Sequence, residues 1–347
     1  MRAFKLETIN RWTLPTNDRK IPTGRILITL FLLLTFPSGC RDKKMNQNNH
    51  IASTIDKTSA DPIAIHQHAI AIDMHADTVQ RVLDEHVDID QQLSDGHFDA
   101  VRAKAGGLDA QFFSIWVEPQ LFGGGGPKAV KRADDQIAAI RALAEKHPET
   151  WMLATSADDI RRAAREGKIA ALMGLEGGYA IDERLENVKR YYDLGVRYMS
   201  PAWSVSTSWA GSSGDEVGLT RGLNEFGKSV VCEMNRLGMM VDVSHVSDQT
   251  FWDIINTSTA PVIATHSACR AIADVPRNLT DDMIQALAKT GGVVNVIFYP
   301  EHIEPGWAQL KKKVDAEIAS MVQQVSDAEP GDAVHKKLER DRVRSRE

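Results

Sequence analysis

The sequence predicts an α/β chain built as a (β/α)8 barrel of the TIM type, on three observations. From residue 63 onward, short and nearly continuous apolar runs alternate with stretches of helical periodicity, the pattern of a parallel sheet covered on its outer face. Ionisable side chains close several of those runs, and the C-terminal strand ends are where such barrels carry their chemistry. No Gly-x-Gly-x-x-Gly follows the first run, so an open doubly wound sheet lacks its dinucleotide fingerprint.

Taken in order, residues 69–77 read as the first strand and 111–117 as the second, entered through Gly106 and Gly107. Residues 129–147 are helical, 151–155 form a short extra strand, and 157–166 are helical again. Residues 169–175 give the third core strand and end in Glu176-Gly177-Gly178. A helix over 185–194 stops at Gly195, and the fourth strand runs over 196–203. An amphipathic helix over 224–237 stops at Gly238 and leads into the fifth strand, 239–245. Residues 261–266 are the sixth strand, 280–289 a helix, and 292–299 the seventh strand. The glycine run from Gly123 to Gly126, closed by Pro127, lacks the Lys-Ser/Thr of a phosphate cradle and reads as flexible loop. Residues 308–347 are charged and helical, so the barrel is expected to lack its eighth strand and to expose two strand edges.

The composition is that of a globular protein with a sizeable core, 43% hydrophobic and 25% charged over 347 residues. The formal charge is −6, and no basic stripe points to nucleic acid. Residues 1–39 carry six basic and two acidic side chains, so the remainder has 35 against 45, a net −10. Arg19, Lys20 and Arg25 precede an apolar run over 26–36. Eleven residues are too few to span a bilayer, which takes about 20, and suit the core of a signal peptide. Pro37-Ser38-Gly39-Cys40 looks like a bacterial lipoprotein cleavage box, with Pro37 in place of the usual aliphatic residue. The expected organisation is therefore a signal peptide over 1–39, lipid on Cys40, a polar tether over 40–62 and a hydrolase barrel over 63–347. Such a chain is exported and anchored to a bacterial membrane, facing the periplasm or the cell exterior. Cys232 and Cys269 lie in apolar helix or strand context and make no disulfide framework.

The first strand ends in Ile72-Asp73-Met74-His75-Ala76-Asp77-Thr78. Side chains two apart on a strand share a face, so His75 and Asp77 aim at one point. Glu176 closes the third strand, His245 the fifth and His266 the sixth. Any one of these is more simply a satisfied polar residue at a barrel rim. Five at four strand ends form a donor set, and three imidazoles with two carboxylates hold two zinc ions if one carboxylate bridges. Two such ions share a hydroxide, lower its pKa and polarise a carbonyl oxygen, which is the chemistry of amide hydrolysis.

The runs IDMHADT, GHFDAVRAKAGGLDAQFFSIWV, GLEGGYAI, LGVRYMSPAW, VDVSH and THSACRAIADVPRNLTDD together resemble the membrane (renal-type) dipeptidase family, in order across about residues 65–300. The resemblance implies a (β/α)8 metallopeptidase with a binuclear zinc site that cleaves dipeptides, often with a D-residue at the C-terminal position. It also implies the family's common homodimer. Carried over, it assigns His75 and Asp77 to one zinc, His245 and His266 to the other, and Glu176 as the bridging catalytic carboxylate. It assigns Arg277 to the substrate carboxylate, a task that suits a guanidinium fork, and places Tyr299 in the substrate pocket. Two departures stand out. Trp203 occupies the place of a histidine thought to steady the tetrahedral intermediate, and an indole donates one N–H but never becomes a cation. The family's acid/base aspartate sits in an eighth-strand motif with no counterpart here, and neither Asp242 nor Asp274 replaces it by position. Two other readings remain open at this point: another binuclear amidohydrolase acting on a cyclic amide, lactone or ester, and a metal-binding lipoprotein without activity. The first strand has His-x-Asp where such amidohydrolases often have His-x-His, and no lysine closes the fourth strand to act as a carboxylated bridge.

Overall fold

Eight parallel strands carry the fold in the computed structural model, which describes residues 61–328. They are β1 (Ala71–Ala76), β2 (Leu108–Trp116), β3 (Trp151–Leu153), β4 (Ile169–Glu176), β5 (Val196–Met199), β6 (Met240–Asp242), β7 (Val262–Ser267) and β8 (Val294–Val296). The signal segment, Cys40, nearly all of the tether and residues 329–347 lie outside the described residues. Neighbours run in the order β1-β2-β4-β5-β6-β7-β8, with β3 paired to β4 alone. Helices follow the strands, as right-handed parallel crossovers require. The result is the expected TIM-like barrel, nearly closed.

The short strand β3 explains why eight strands make only seven staves. It pairs with Ile169–Ala171 at the start of β4, while β5 pairs with Met173–Leu175 further along, and β2 has the opposite side. Two strands thus share one side of β4. At the ends of the path, β8 and β1 are not paired with each other among the described residues. Apolar side chains lie open there: Ile72 is 40% exposed, Val296 59% and Phe298 87%.

Alternation along the strands sorts the core into two layers. Phe113 and Ile115 of β2 and Met173 and Leu175 of β4 face outward, packing with Ile137, Ile140, Val230, Val231 and Ile254 of the surrounding helices. Ala110 and Phe112 of β2 and Ala170 and Leu172 of β4 form an inner cluster with Tyr198 and Ile263. Continuing up the same inner columns, β2 presents Ser114 and β4 presents Gly174 and then Glu176. The inner face therefore turns from apolar to polar towards the C-terminal strand ends, where the site lies.

Several local expectations change. The run Gly123–Gly126 is no loose loop: Gly126 opens the helix Gly126–Lys146, Pro127 sits in its first turn, and the Gly126 N–H donates to Asp182 Oδ1 at 2.7 Å. The fourth and fifth strands stop at Met199 and Asp242. Trp203 and His245 are therefore carried by loops, and His245 has a left-handed φ of 71°, which no strand allows. Cys232 is exposed on the helix Glu225–Leu237 and Cys269 lies in the loop after β7, so neither is a buried apolar cysteine. Among the described residues no helix is long and apolar enough to cross a membrane.

Candidate metal centre

Three imidazoles converge on one carboxylate, with a second carboxylate beside one of them. Glu176 Oε1 lies 2.8 Å from His245 Nε2 and 3.4 Å from His266 Nε2. Its other oxygen, Oε2, lies 3.3 Å from His75 Nε2. Asp77 Oδ1 is 3.7 Å from that same His75 nitrogen. The donors thus fall into two groups, His75 with Asp77 and His245 with His266, one facing each oxygen of Glu176. His245 Nε2 and His266 Nε2 are 2.9 Å apart, and the His75 and His266 rings stack at 3.6 Å between centroids.

Local sequence explains how each donor is aimed. Asp73 Oδ1 accepts the His75 N–H at 2.9 Å, bending the end of β1. Gly177 turns the chain directly after Glu176 with φ 77°, where a Cβ would stand 2.4 Å from the Tyr179 ring. Ser114 Oγ donates to Glu176 Oε2 at 2.8 Å and fixes the roll of the carboxylate. The strained His245 backbone is secured through its carbonyl, which accepts from Ser213 N at 2.8 Å and from Ser213 Oγ at 3.0 Å. Single residues in sparsely populated conformations persist only where the surroundings hold them.

Burial and charge oppose each other here. Burial would raise the Glu176 carboxyl, but the three imidazoles, His75 foremost, outweigh it and hold the carboxyl well below its usual range. Burial likewise disfavours charge on His75, yet the Glu176 and Asp77 carboxylates lift its pKa well above normal. His245 and His266 go the other way: burial lowers both, helped by the Arg277 charge and by His75 respectively, and His245 falls to about 3. A cluster that keeps two imidazoles neutral around an anion presents lone pairs, which is what a divalent metal needs.

A metal fits these residues on a specific observation. Asp77 Oδ1 is buried with no hydrogen-bond partner, a costly state that a cation would relieve. His75, Glu176 and His266 offer donor atoms that all lie within 4.8 Å of one another. Imidazole and carboxylate donors suit zinc and its first-row neighbours.

Around this centre stand the other predicted residues. Arg277 Nη2 donates to the His266 carbonyl at 2.8 Å, while Nη1 is buried without a partner. Burial pushes the guanidinium down to about 10, still a cation at neutral pH. The Trp203 ring lies 6.3 Å from His245 and 4.9 Å from Trp116, whose own Nε1 is buried and unpaired. Tyr299 falls further out, beyond the end of β8, with its ring 5.7 Å from His302.

Comparison with known proteins decides the family. A profile described as membrane dipeptidase (peptidase family M19) matches residues 60–329. The chain belongs to the membrane dipeptidase family. Dipeptidase 3 of Mus musculus is 40% identical over 205 residues, 56% of this chain and 39% of the relative. A Schizosaccharomyces pombe protein described as an uncharacterized dipeptidase is 33% identical over 216 residues, 60% of this chain and 53% of its own. The chain thus spans about half or less of the length of these relatives. Among solved structures, a metallopeptidase from Rhodobacter sphaeroides, liganded with a phosphinate mimic of the dipeptide L-Ala-D-Ala, superposes with a TM-score of 0.61 at 26% identity. That match covers 72% of this chain and 82% of the other.

In this member of the family, the residues whose place sequence reasoning missed are those beneath the donors. Ser114, Tyr198, Asp242, Ser244 and Thr265 are all buried and polar or phenolic. Asp242 Oδ1 accepts from the N–H groups of Ser244 and Thr265 at 3.0 and 2.9 Å. Its Oδ2 accepts from Thr265 Oγ1 at 2.7 Å, tying β6 to β7 under the site. The available signal was a polar residue placed before a strand-end donor, as in Val-Asp-Val-Ser-His and Ala-Thr-His.

Proposed function

We propose that this chain is a zinc-dependent dipeptidase that cleaves the peptide bond of dipeptides, including those ending in a D-residue. The observation that carries the reading is Glu176, one of whose oxygens faces His245 and His266 and the other His75. His75 and Asp77 would hold one ion, His245 and His266 a second, and Glu176 both. When bound, the ions supply Lewis acidity that polarises the scissile carbonyl and eases deprotonation of a water.

The chain's own residues do the rest. Ser114 keeps the Glu176 carboxylate from rotating out of line. Arg277, a cation with a buried N–H left unpaired, receives the substrate's C-terminal carboxylate, a charge-assisted contact that favours a free C-terminus close to the scissile bond. Trp203 and Trp116 wall the site, and Trp203 contributes at most one indole N–H. The D-residue is proposed from the likeness to the Rhodobacter sphaeroides peptidase with its L-Ala-D-Ala mimic. Export and lipid attachment at Cys40 are proposed from the basic residues, apolar run and small residues that precede it.

The test is zinc content together with hydrolysis of L-Ala-L-Ala and L-Ala-D-Ala, for the wild type and Glu176→Gln. The wild type is expected to carry about two zinc ions per chain and to cleave dipeptides, and the variant to lose both properties. Zinc without dipeptide cleavage overturns the substrate assignment. A wild type without zinc overturns the metal centre.

A further inference from the structure

Arg277 stands in a loop whose backbone is held by side chains. The loop leaves β7 and closes where Cys269 and Leu279 bridge, the Arg270 N–H donating to the Leu279 carbonyl at 2.8 Å. No strand or helix spans residues 268–280 among the described residues. Its outer side is open, with Ile272 56% exposed and Asp274 and Pro276 also exposed, so packing does little to fix it. Three successive carbonyls nonetheless each accept from a side chain. That of Pro276 accepts from Arg270 Nη2 at 3.0 Å, that of Arg277 from Ser267 Oγ at 3.2 Å, and that of Asn278 from Arg270 Nε at 2.9 Å. One guanidinium thus grips the backbone on both sides of Arg277. The buried Asn278 adds a second tie, its Nδ2 donating to the Ala273 and His302 carbonyls, both at 2.9 Å.

Arg270 is itself held. Its Nη1 and Nη2 donate to the two oxygens of Asp248 at 2.7 Å each, a parallel fork that a lysine does not make. Asp248 opens the helix Asp248–Thr257, in the segment that directly follows His245. The clamp therefore joins the loop that carries Arg277 to the segment that carries His245. Arg277 Nη2 is tied at the far end of its side chain to the His266 carbonyl, which leaves Nη1 as the buried N–H without a partner.

We propose that Arg270 is a positioning residue for substrate binding that acts through Arg277. Its fork on Asp248 and its grip on two backbone carbonyls set the distance from the Arg277 guanidinium to the metal centre. The assignment rests on the reading of Arg277 as receptor of the substrate carboxylate. The distance matters because a dipeptide offers one fixed spacing between its carboxylate and its scissile carbonyl. A misplacement of about 1 Å costs on the order of 100-fold in rate.

The experiment measures kcat and KM for L-Ala-L-Ala and for its C-terminal amide. It compares the wild type, Arg270→Met, Arg270→Lys, Arg277→Met and the double variant Arg270→Met/Arg277→Met, with zinc content and thermal melting on each preparation. Arg270→Met should raise KM for the free acid and lower its kcat/KM roughly 10–100-fold. The amide has no carboxylate to place and should be cleaved as by the wild type. Arg270→Lys keeps the charge without the fork and should lose nearly as much; it carries the same comparison should Arg270→Met not fold. In the Arg277→Met background, Arg270→Met should change kcat/KM for the acid by less than about twofold, since the group it positions is gone. Acid and amide falling together, an unchanged acid rate, or a full additional loss in the double variant overturns the proposal. So does a loss of zinc in Arg270→Met, which traces the effect to the metal centre. A wild type that cleaves acid and amide alike, or neither, overturns Arg277 as the carboxylate receptor and this assignment with it.

Discussion

The phenol of Tyr198 lies against the bare Cα of Gly174, and a β-carbon there would sit 1.9 Å from Tyr198 Cζ. The ring is fully buried and cannot step aside. Gly174→Ala is therefore expected to destabilise the fold by about 1–3 kcal/mol, the range for overpacked cores. It should also weaken zinc binding, because the displaced ring takes its hydroxyl away from His75 Nδ1, which it approaches to 3.1 Å. Urea unfolding and chelator competition on the same preparation check both effects.

Glu176→Gln keeps the shape of the side chain and removes its charge. Every donor pair in the centre faces this carboxylate, so the loss should exceed the roughly 10–100-fold of an outer-sphere change. The amide N–H would also point towards an imidazole nitrogen. Equilibrium dialysis against zinc measures the change.

Arg277→Met should raise KM for dipeptides and lower kcat/KM by roughly 10–100-fold, corresponding to the loss of charge-assisted hydrogen bonds of about 1.5–3 kcal/mol. A dipeptide amidated at its C-terminus should be cleaved equally poorly by the wild type and the variant. Steady-state kinetics with the two substrates separates carboxylate recognition from a general disturbance of the neighbouring His266.

Acid stability should depend on Asp99. Its buried carboxylate accepts from the Arg102 N–H at 2.8 Å, the Leu93 N–H at 3.1 Å and Arg102 Nε at 2.7 Å. Burial alone would raise its pKa, but these bonds prevail and hold it below the usual value. A depressed folded-state pKa means stability that is present above about pH 4 and lost as pH falls through the lowered value. Asp99→Asn should thus cost about 1 kcal/mol at pH 7, with the difference from wild type shrinking below pH 4. Urea titrations at the two pH values give the comparison.

Chelation should lower the melting temperature. Zinc at 100 times its dissociation constant stabilises the native state by about 2.7 kcal/mol, and stripping it removes that and leaves Asp77 Oδ1 unpaired. Calorimetry with and without chelator reads the shift.

Much of the barrel was legible because its signals are local. The short, nearly continuous apolar run over 111–117 and the glycine stops at Gly195 and Gly238 need no tertiary knowledge. The convergence of His75, Asp77, Glu176, His245 and His266 was legible because each closes an apolar run. Strand ends were less so: the chain leaves the ladder after Asp242, as its carboxylate takes the Ser244 N–H for itself, a choice between partners that hydropathy does not record. The glycine run misled because its anchor, Asp182, lies 56 residues away. The contact of Tyr198 with His75 was invisible for the same reason. A tyrosine in an apolar run reads as core until the histidine 123 residues earlier is seen against its hydroxyl.

The placement of β1 at the end of the strand path makes the two halves of the centre mechanically unequal. His75 and Asp77 hang from a strand laddered on one side only, with His75 braced across the barrel by the Tyr198 phenol and the His266 ring. His266 rides on β7, which is laddered on both sides, and His245 follows β6, laddered on both sides too. Backbone amides of β1 should exchange with deuterium sooner than those of β6 and β7. If two ions share Glu176 as proposed, the one on the His75 side should be the first to leave and the last to return.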